Sequence, residues 1–329
     1  MLLTLIEHDR GLLVDTALEA LTLARGLAAA HGEPVEAVVL GTAGHDLTAT
    51  LRDHGVARLH VAEHELLDDY APEAWAAALA ALLDTLEPTG LVASGTERGN
   101  EVLARLAAIR DLPLATSCID ISGDGTWELT RLRWGGILYE ESRLSAAVNL
   151  ATVAPHAVSS SPVATPVDTV VDEHAPELAP GLARTRVVDR VSKGGGVTLT
   201  TAPVVVSGGR GVGSAEGFAV LEELAELVGG AVGCSRVATS NGWRPHSDQV
   251  GQTGSRVAPD LYVACGISGA TQHWVGCMNA KRILAINTDP EAPMVTRAHY
   301  AVIGDVHEVL PAVVAEVRQR KGATVGAGT

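Results

Sequence analysis

Short apolar runs alternate with segments of helical periodicity through the first 110 residues, and this alternation restricts the fold more than any other feature. Apolar runs of about four to six residues are typical of buried strands, and the Ala- and Leu-rich segments between them have helical spacing. The predicted order, beginning with a strand, is 2–6, 13–30, 35–40, 46–54, 57–61, 72–86, 91–94 and 97–110. Strands joined through helices by short connections form a parallel sheet covered by helices on both faces. We therefore expect an α/β domain in the N-terminal half.

The pattern changes after Asp111, where strand-like runs follow one another without helices between them. These runs are Ala115–Ile121, Thr126–Trp134 and Ala146–Val153, with a turn signal at 123–125 between the first two. Strands joined by tight turns pair antiparallel, so we expect an antiparallel extension of the first sheet.

A polar stretch rich in Ser, Pro, Asp and Glu fills residues 159–193, and the glycine run Ser192–Gly196 is the strongest break in the chain. We predict two domains, 1–193 and 194–329, joined by a linker that allows the second domain to reorient. The second domain repeats the alternation. Its predicted strands and helices are Val204–Val206, Ala215–Val228, Leu261–Cys265, a helix after Gly269, Ile283–Asn287, Tyr300–Ile303 and Val306–Arg320. The predicted fold class is α/β, with a mostly parallel sheet flanked by helices in each domain.

The composition and the net charge of the chain disfavour several classes of function. The 329 residues carry a formal net charge of −15, which disfavours nucleic acid as a partner because its phosphates are also negative. The apolar start Met1–Ile6 runs at once into charged residues, and no apolar stretch is long enough to span a membrane. We expect an intracellular, cytoplasmic protein without membrane insertion. Its four scattered cysteines are expected to be free thiols and not ligands of zinc.

A glycine-rich turn follows the first predicted strand of the second domain, in the sequence VVVSGGRGVGS from Val204 to Ser214. A strand, a glycine turn and a helix N-terminus can bind an anionic group through backbone N–H groups, and Arg210 adds a planar cation. The spacing fits neither the dinucleotide-binding nor the phosphate-binding loop pattern. The alternative is a tight turn whose glycines serve packing alone.

Two further clusters stand where loops carry function in α/β folds. Ser235 and Arg236 follow a strand-like segment, with a solvated surface pair as the alternative. The sequence Gln249-Val-Gly-Gln-Thr-Gly254 places amides and a hydroxyl between glycines, which suits the polar edge of a heterocycle. Its alternative is an ordinary polar loop.

The remaining clusters follow later strands. Ser268, Gln272 and His273 lie in a second strand–glycine–helix segment, where a lone histidine is more often packed or exposed than a ligand. Asn287 ends the next strand, and a turn is its alternative reading. Asp305 can bind ribose hydroxyls or cap the final helix. Five of the six clusters thus stand at successive strand ends, the edge where open α/β sheets bind ligands.

These segments, read together as SGGRG, GAVGCSR, QVGQTG, ACGISGATQH, AINTDPEAP and GD, resemble the C-terminal signature of electron transfer flavoprotein alpha subunits. The match covers about 204–311. The N-terminal half matches less closely: Ala104–Ala108 resembles a PR-x-AA segment with Ala in place of Pro, and Leu132–Gly136 stands where a YAGNA-like segment is expected.

The resemblance implies an adenine-nucleotide-hydrolase-like N-terminal domain that contacts a beta subunit, and a Rossmann-like C-terminal domain that binds FAD. The implied FAD contacts are Arg210, Ser235, Arg236, Val250, Gly251, Gln252, Thr253, Ser268, Gly269, Ala270, Thr271, Gln272, His273, Asn287 and Asp305. Arg236 is expected over the flavin ring, Thr253 near flavin N5 and His273 near the C2 carbonyl. Arg236 and His273 are the cations expected to stabilise the one-electron reduced anion.

The family also implies phosphate contacts from Ser268 and Asn287, and an adenosine contact from Asp305. No catalytic residue or metal is expected, because the flavin carries the redox chemistry and the protein is a carrier more than a classical enzyme. The implied role is the alpha subunit of a heterodimer in fatty acid oxidation or related pathways. It would take electrons from acyl-CoA or other flavin dehydrogenases and pass them singly to a quinone oxidoreductase.

Two alternatives remain open on the sequence. One is the alpha subunit of an electron-bifurcating complex that oxidises NADH. The other is a nucleotide-binding or sensing module without redox function. Donor, acceptor, flavin potentials and the cofactor of the beta subunit are not encoded in any motif of this chain.

Overall fold

The computed structural model describes residues 1–182, 184–189 and 197–326. The chain divides into two compact units, Met1–Val191 and Ser192–Thr329. The predicted domain boundary after residue 193 and the predicted glycine linker Ser192–Gly196 both lie outside the described residues. No helix in the described part of the chain is both long and apolar enough to cross a bilayer.

The N-terminal unit has a nine-stranded sheet, a short hairpin and four α-helices among its described residues. The strands are β1 (Leu2–Leu5), β2 (His8–Asp9), β3 (Leu12–Leu13), β4 (Val35–Leu40), β5 (Arg58–Ala62), β6 (Gly90–Ser94), β7 (Leu114–Ser122), β8 (Trp127–Arg133), β9 (Leu138–Leu144), β10 (Asn149–Val153) and β11 (Val170–His174). The helices are α1 (Asp15–Ala30), α2 (Thr48–Asp53), α3 (Pro72–Leu86) and α4 (Glu97–Arg110). The sheet order is β11-β5-β4-β1-β6-β10-β7-β8-β9, and β2 pairs with β3.

Local sequence explains several of these elements. Pro72 begins α3, where its missing N–H costs no hydrogen bond. The Thr96 side chain caps α4 by accepting a hydrogen bond from the Gly99 N–H at 2.9 Å. Neighbouring residues of one strand, such as Val38 and Val39, belong to different hydrophobic clusters, so both faces of the sheet are covered. The predicted α/β class is confirmed for this unit.

Three features of this sheet differ from the prediction. The antiparallel extension consists of β7, β8 and β9, and β9 was not predicted as a strand. The predicted last strand of the extension, β10, instead lies between β6 and β7 and is parallel to both. The polar stretch contains an unpredicted strand, β11, which pairs in parallel with β5 at the sheet edge. The positions of these three strands depend on pairing between residues that are far apart in the sequence, and local sequence patterns indicate such pairing poorly.

The C-terminal unit contains a five-stranded parallel sheet and five α-helices among its described residues. The strands are β12 (Val204–Gly208), β13 (Ala231–Cys234), β14 (Leu261–Cys265), β15 (Ile283–Asn287) and β16 (Tyr300–Ile303). The helices are α5 (Ala219–Val228), α6 (Arg236–Ser240), α7 (Thr271–Cys277), α8 (Pro293–Arg297) and α9 (Val306–Gly326). The predicted helix 215–228 begins instead as a 3₁₀ turn at Glu216–Phe218.

The strand order β13-β12-β14-β15-β16 is that of a doubly wound sheet. After β12 the chain passes to the face that carries α5 and α9, whose residues Leu221 and Leu310 share one hydrophobic cluster. After β14 it passes to the opposite face, where Cys277 of α7 and Met294 of α8 belong to another. The chain therefore leaves β12 and β14 in opposite directions, which creates the crevice where such sheets bind ligands.

Two glycine-rich loops meet at this crevice. The Gly209 N–H donates to the Cys265 carbonyl at 2.9 Å, and the Gly211 N–H donates to the Gly266 carbonyl at 3.0 Å. A Cβ on Gly209 would lie 2.5 Å from the Gly266 carbonyl oxygen, and Gly266 has a φ of +63° that disfavours other residues. The glycines of the first loop thus serve close packing, which was the alternative interpretation of that motif.

All four cysteines are buried free thiols, as predicted. Burial raises the pKa of Cys234 and of Cys265 to about 12. Both residues end strands, β13 and β14, immediately before the loops at the crevice.

We predict that Gly209→Ala destabilises the C-terminal unit by about 1–3 kcal/mol, because the added methyl group forces the two loops apart. Urea unfolding gives the loss, and hydrogen exchange of the β12 and β14 amides shows that it is local. Gly26→Ala is the matched control, since a Cβ at Gly26 meets no atom within 4 Å. That control should be neutral or slightly stabilising in the interior of α1. Equal stability of Gly209→Ala and the wild type would contradict the packing role.

Candidate cofactor site

The carboxyl ends of the parallel strands bring the predicted cofactor residues to one edge of the C-terminal sheet. Arg210 follows β12, Ser235 and Arg236 follow β13, and Ser268 follows β14. Asn287 is the last residue of β15. Parallel pairing of all five strands places these ends side by side, so the strand-end pattern in the sequence corresponds to one surface.

Ser235 is a buried hydroxyl at the start of α6, with 8% of its surface exposed. Its backbone is fixed by a hydrogen bond from its N–H to the Gly208 carbonyl at 2.9 Å. Its Oγ makes no capping hydrogen bond and has no partner among the described residues. A buried hydroxyl without a partner costs about 1–3 kcal/mol, so a bound polar ligand would relieve this cost.

The two arginines at this edge, Arg210 and Arg236, are exposed. Arg210 begins a 3₁₀ turn after β12, and Arg236 is the first residue of α6. Their guanidinium groups are the cationic donors that the loops after β12 and β13 supply to the sheet edge.

The loop from Val250 to Thr253 is attached on two sides. The Val250 N–H donates to the Cys234 carbonyl at 2.9 Å, which joins the loop to the end of β13. The Gln252 N–H donates to the Gln272 carbonyl at 2.7 Å, which joins it to α7. Gly251 has a φ of +144°, and a Cβ there would lie 2.8 Å from the Gln272 carbonyl oxygen. The exposed Gln252 and Thr253 side chains are therefore presented from a fixed backbone.

The next segment, from Ser268 to Gln272, leads into α7. Gly269 has a φ of +78°, and a Cβ at this position would collide with the Met294 backbone nitrogen. The Ser268 carbonyl accepts a hydrogen bond from the Met294 N–H at 3.1 Å. The side chains of Ser268, Ala270, Thr271 and Gln272 are exposed. Glycine at 269 thus allows the backbone to turn closely and to place four side chains at the surface.

His273 is buried, with 7% of its surface exposed, and its Nε2 lies 2.8 Å from the hydroxyl of the fully buried Tyr262. Burial lowers the pKa of His273 to about 4, against a smaller opposing effect of the Val250 backbone. Burial raises the pKa of the Tyr262 phenol well above its ordinary value. With the phenol as donor to Nε2, the ring hydrogen of His273 is assigned to Nδ1.

The structure corrects the charge expected for His273. A pKa of about 4 makes the imidazole neutral near pH 7, so in the cofactor-free chain it is a hydrogen-bonding group and not a cation. Its Nδ1 is buried and has no hydrogen-bond partner of ordinary geometry among the described residues. The Val250 backbone is thus a weak partner of the His273 ring, whereas the Ser235 hydroxyl has no partner among the described residues.

The side chains of Asn287 and Asp305 also make hydrogen bonds within the fold. The Asn287 side-chain nitrogen donates to the Ile267 carbonyl at 3.0 Å, and its oxygen accepts from the Asp289 N–H at 3.1 Å. Asp305 caps α9 by accepting a hydrogen bond from the His307 N–H at 2.8 Å. The alternative interpretation of Asp305 as a helix cap is therefore what the structure shows, and Asn287 stabilises the loop after β14.

Two residues of the site were not among the predicted contacts. Tyr262 lies in the middle of β14, where an aromatic residue in an apolar strand carries no sign of a partner. Gln249 is buried and bridges two threonine hydroxyls, and its position in the QVGQTG motif was a usable signal.

These groups suit FAD by their chemistry. Hydroxyl, amide, guanidinium and neutral imidazole groups match the alternating donors and acceptors of a flavin ring edge. The two loops cross so closely that the backbone itself forms the crevice wall. The unpaired hydroxyl of Ser235 favours a polar partner, which a flavin nucleotide offers.

Comparison with known proteins identifies the family of both units. Residues 198–278 match the electron transfer flavoprotein FAD-binding domain, and residues 2–179 match the electron transfer flavoprotein domain. The chain is similar to the electron transfer flavoprotein subunit alpha of Mycobacterium leprae, with 38% identity across 97% of this chain and 99% of that protein. The corresponding subunit of Mycobacterium tuberculosis (strain CDC 1551 / Oshkosh) is 39% identical across 97% and 99%.

A more distant relative shows the same full-length correspondence. The subunit alpha of Thermoanaerobacterium thermosaccharolyticum is 34% identical across 96% of this chain and 97% of its own length. One family domain covers more than half of the chain, and the second lies within the unit that carries the candidate site. The chain belongs to the electron transfer flavoprotein alpha-subunit family, and its C-terminal unit contains the family's FAD-binding domain.

Proposed function

We propose that this chain is the alpha subunit of a heterodimeric electron transfer flavoprotein. In this proposal FAD at the C-terminal sheet edge takes electrons from acyl-CoA or other flavin dehydrogenases. The electrons then pass singly to an acceptor such as a quinone oxidoreductase. The observation that carries the proposal is the row of polar and cationic side chains at the carboxyl ends of the strands, in which the buried Ser235 Oγ at the start of α6 has no partner among the described residues.

The proposed FAD contacts are those implied by the family motifs. Arg236, Thr253 and His273 would hold the flavin ring, with the Thr253 hydroxyl at N5. Ser268 would contact the phosphates from the exposed segment before α7. Ser235, Val250, Gly251, Gln252, Gly269, Ala270, Thr271 and Gln272 belong to the same proposed set. Arg210, Asn287 and Asp305 would add further contacts, the last two through polar atoms left over from their structural hydrogen bonds. When bound, FAD supplies the redox chemistry, and the residues supply binding, orientation and charge.

Because His273 is neutral, the hydrogen bond and the positive charge at the flavin ring would come from two different residues. A neutral Nδ1–H donates a hydrogen bond to a flavin carbonyl without adding a charge, whereas the exposed Arg236 adds a full positive charge. A cation near a ring that gains electrons favours the reduced state, and solvent screens this effect at an exposed site. We therefore propose that Arg236 supplies the positive charge and that His273 orients the flavin ring through a hydrogen bond.

The proposed compartment is the cytoplasm. All four cysteines are free and buried, which supports a reducing environment.

The first test is an absorption spectrum of the chain co-expressed with its beta subunit, followed by stepwise photoreduction. We expect oxidised flavin bands and an intermediate spectrum that indicates one-electron reduction. A colourless protein that takes up no added FAD would refute the proposal. Reduction by NADH alone would instead identify an NADH-oxidising complex of the bifurcating kind.

We predict opposite effects of Ser235→Ala on the empty and the loaded protein. The substitution removes an unpaired buried hydroxyl, so it should stabilise the FAD-free chain by about 1 kcal/mol and weaken FAD binding about fivefold to tenfold. Urea unfolding and FAD titration measure the two effects. Ser240→Ala, at the exposed end of the same helix, should change neither. A loss of stability in FAD-free Ser235→Ala would show that the hydroxyl has a structural partner.

We predict that His273 contributes to the loss of stability in acid. The unfolded chain binds a proton at His273 below a pKa near 6.5, whereas the folded chain does so only near pH 4. The free energy of unfolding therefore falls as pH decreases through this window, by about 2–3 kcal/mol between pH 7 and 4.5 for this residue alone. Urea unfolding of FAD-free His273→Gln should show a correspondingly smaller decrease. The exposed His246→Gln is the control, and identical decreases in wild type and His273→Gln would contradict the buried neutral state.

A further inference from the structure

Gln249 places a buried amide between two hydroxyl groups. Only 2% of its surface is exposed, and it directly precedes the proposed contacts Val250–Thr253. Its Oε1 lies 2.8 Å from Thr239 Oγ1, and its Nε2 lies 2.9 Å from Thr253 Oγ1. The amide therefore connects a hydroxyl on α6 with an exposed hydroxyl at the site.

The Thr239 hydroxyl has two acceptors and one hydrogen. Its Oγ1 lies 2.8 Å from Gln249 Oε1 and 2.9 Å from the Arg236 carbonyl oxygen. A hydroxyl has one hydrogen to donate and can also accept a hydrogen bond. Thr239 can therefore donate to the Gln249 oxygen or to the Arg236 carbonyl oxygen, but not fully to both. Because Thr239 can act as donor or acceptor toward Gln249, it does not fix which way the amide is turned.

Two arrangements of this bridge satisfy all three side chains. In the first, Thr239 donates to the Gln249 oxygen, the Gln249 nitrogen donates to Thr253, and the Thr253 hydrogen remains available to a ligand. In the second, the amide is turned over. Thr253 then donates to the Gln249 oxygen, the Gln249 nitrogen donates to Thr239, and Thr239 donates to the Arg236 carbonyl. Neither arrangement leaves the buried amide unpaired, so neither carries the cost of an unpaired buried polar group.

The ligand at this position changes its own hydrogen-bonding character. N5 of an oxidised flavin ring is an acceptor, and N5 of the fully reduced ring carries a hydrogen and is a donor. A protein group that only donates would stabilise the oxidised ring and disfavour the reduced one. A hydroxyl whose hydrogen-bond partner can turn over is able to donate to the oxidised ring and to accept from the reduced ring.

We propose that Gln249 is a positioning residue that reverses the direction of the hydrogen bond at Thr253, so that one hydroxyl donates to oxidised flavin and accepts from reduced flavin. The inference rests on the proposed function, which places N5 of FAD at Thr253. The amide and the two hydroxyls keep their own hydrogens throughout and only rotate, so the bridge transfers no proton.

The test is a double-mutant cycle on the full chain in complex with its beta subunit. The variants are Gln249→Met, which keeps length and volume, Thr253→Val, and the two combined. FAD titration gives the affinity for oxidised FAD. The midpoint potentials of bound and free FAD then give the affinity for reduced FAD through a thermodynamic cycle.

We expect Gln249→Met to weaken the binding of oxidised and reduced FAD alike, by about fivefold each, so that the midpoint potential stays unchanged. In the Thr253→Val background the same substitution should have no further effect on either affinity, because Gln249 acts only through that hydroxyl.

Three results would overturn the inference. If only oxidised FAD binds about fivefold more weakly, the midpoint potential rises by about 20 mV for two electrons, and Gln249 holds Thr253 as a fixed donor. If the weakening persists in Thr253→Val, Gln249 acts through packing. If Thr253→Val changes neither affinity, FAD does not contact Thr253. That last result would show that N5 of FAD does not lie at Thr253. It would not contradict FAD binding itself, which the absorption spectrum tests.

A second pair of variants covers the case in which Gln249→Met fails to fold. Thr239→Val removes the far hydroxyl of the bridge, and Thr239→Ser keeps it. We expect Thr239→Val to weaken both oxidised and reduced FAD by about twofold to fivefold, and Thr239→Ser to bind like the wild type. Equal affinities of Thr239→Val and Thr239→Ser would show that the bridge has no influence on the cofactor.

Discussion

Close contact between the loops that follow β12 and β14 is the interaction on which the rest of the C-terminal unit depends. The Gly211 N–H reaches the Gly266 carbonyl at 3.0 Å, a distance that side chains at the contact would prevent. From this point one loop leads to the face of α5 and the other to the face of α7. Of the proposed cofactor contacts, Arg210 lies on the first of these loops, and Ser268 to His273 lie on the segment that follows the second. The glycines of the family signature thus serve the packing of the two loops directly. They serve cofactor binding only because this packing holds the loops in place.

Burial decides which groups at the site carry charge. Tyr262 and His273 are buried together, and desolvation keeps His273 neutral near pH 7 while it raises the pKa of the Tyr262 phenol further. The arginines at the same edge remain in water and keep their charge. The site therefore separates directional hydrogen bonds, which come from the interior, from positive charge, which comes from the surface. Such a division allows the charge to respond to salt and to partners while the geometry stays fixed.

The sequence predicted what local chemistry encodes. The bounds of β14, β15 and β16 were predicted because each is an apolar run ended by a polar or glycine residue. The position of β10 between β6 and β7 and the pairing of β11 with β5 depend on contacts between distant residues, which no local pattern records. At the site, the residue types and their strand-end positions were evident. The neutral state of His273 was not, because it depends on how deeply the folded chain buries the ring.

The cysteines at the ends of β13 and β14 have a consequence for a protein that handles reduced flavin. Reduced flavins react with oxygen and release peroxide, which attacks thiolates much faster than thiols. Burial keeps Cys234 and Cys265 protonated, although each stands one residue before a loop of the cofactor edge. Sulfur next to the crevice is thereby resistant to the by-product formed there. The strands that hold the site therefore end in thiols of low reactivity.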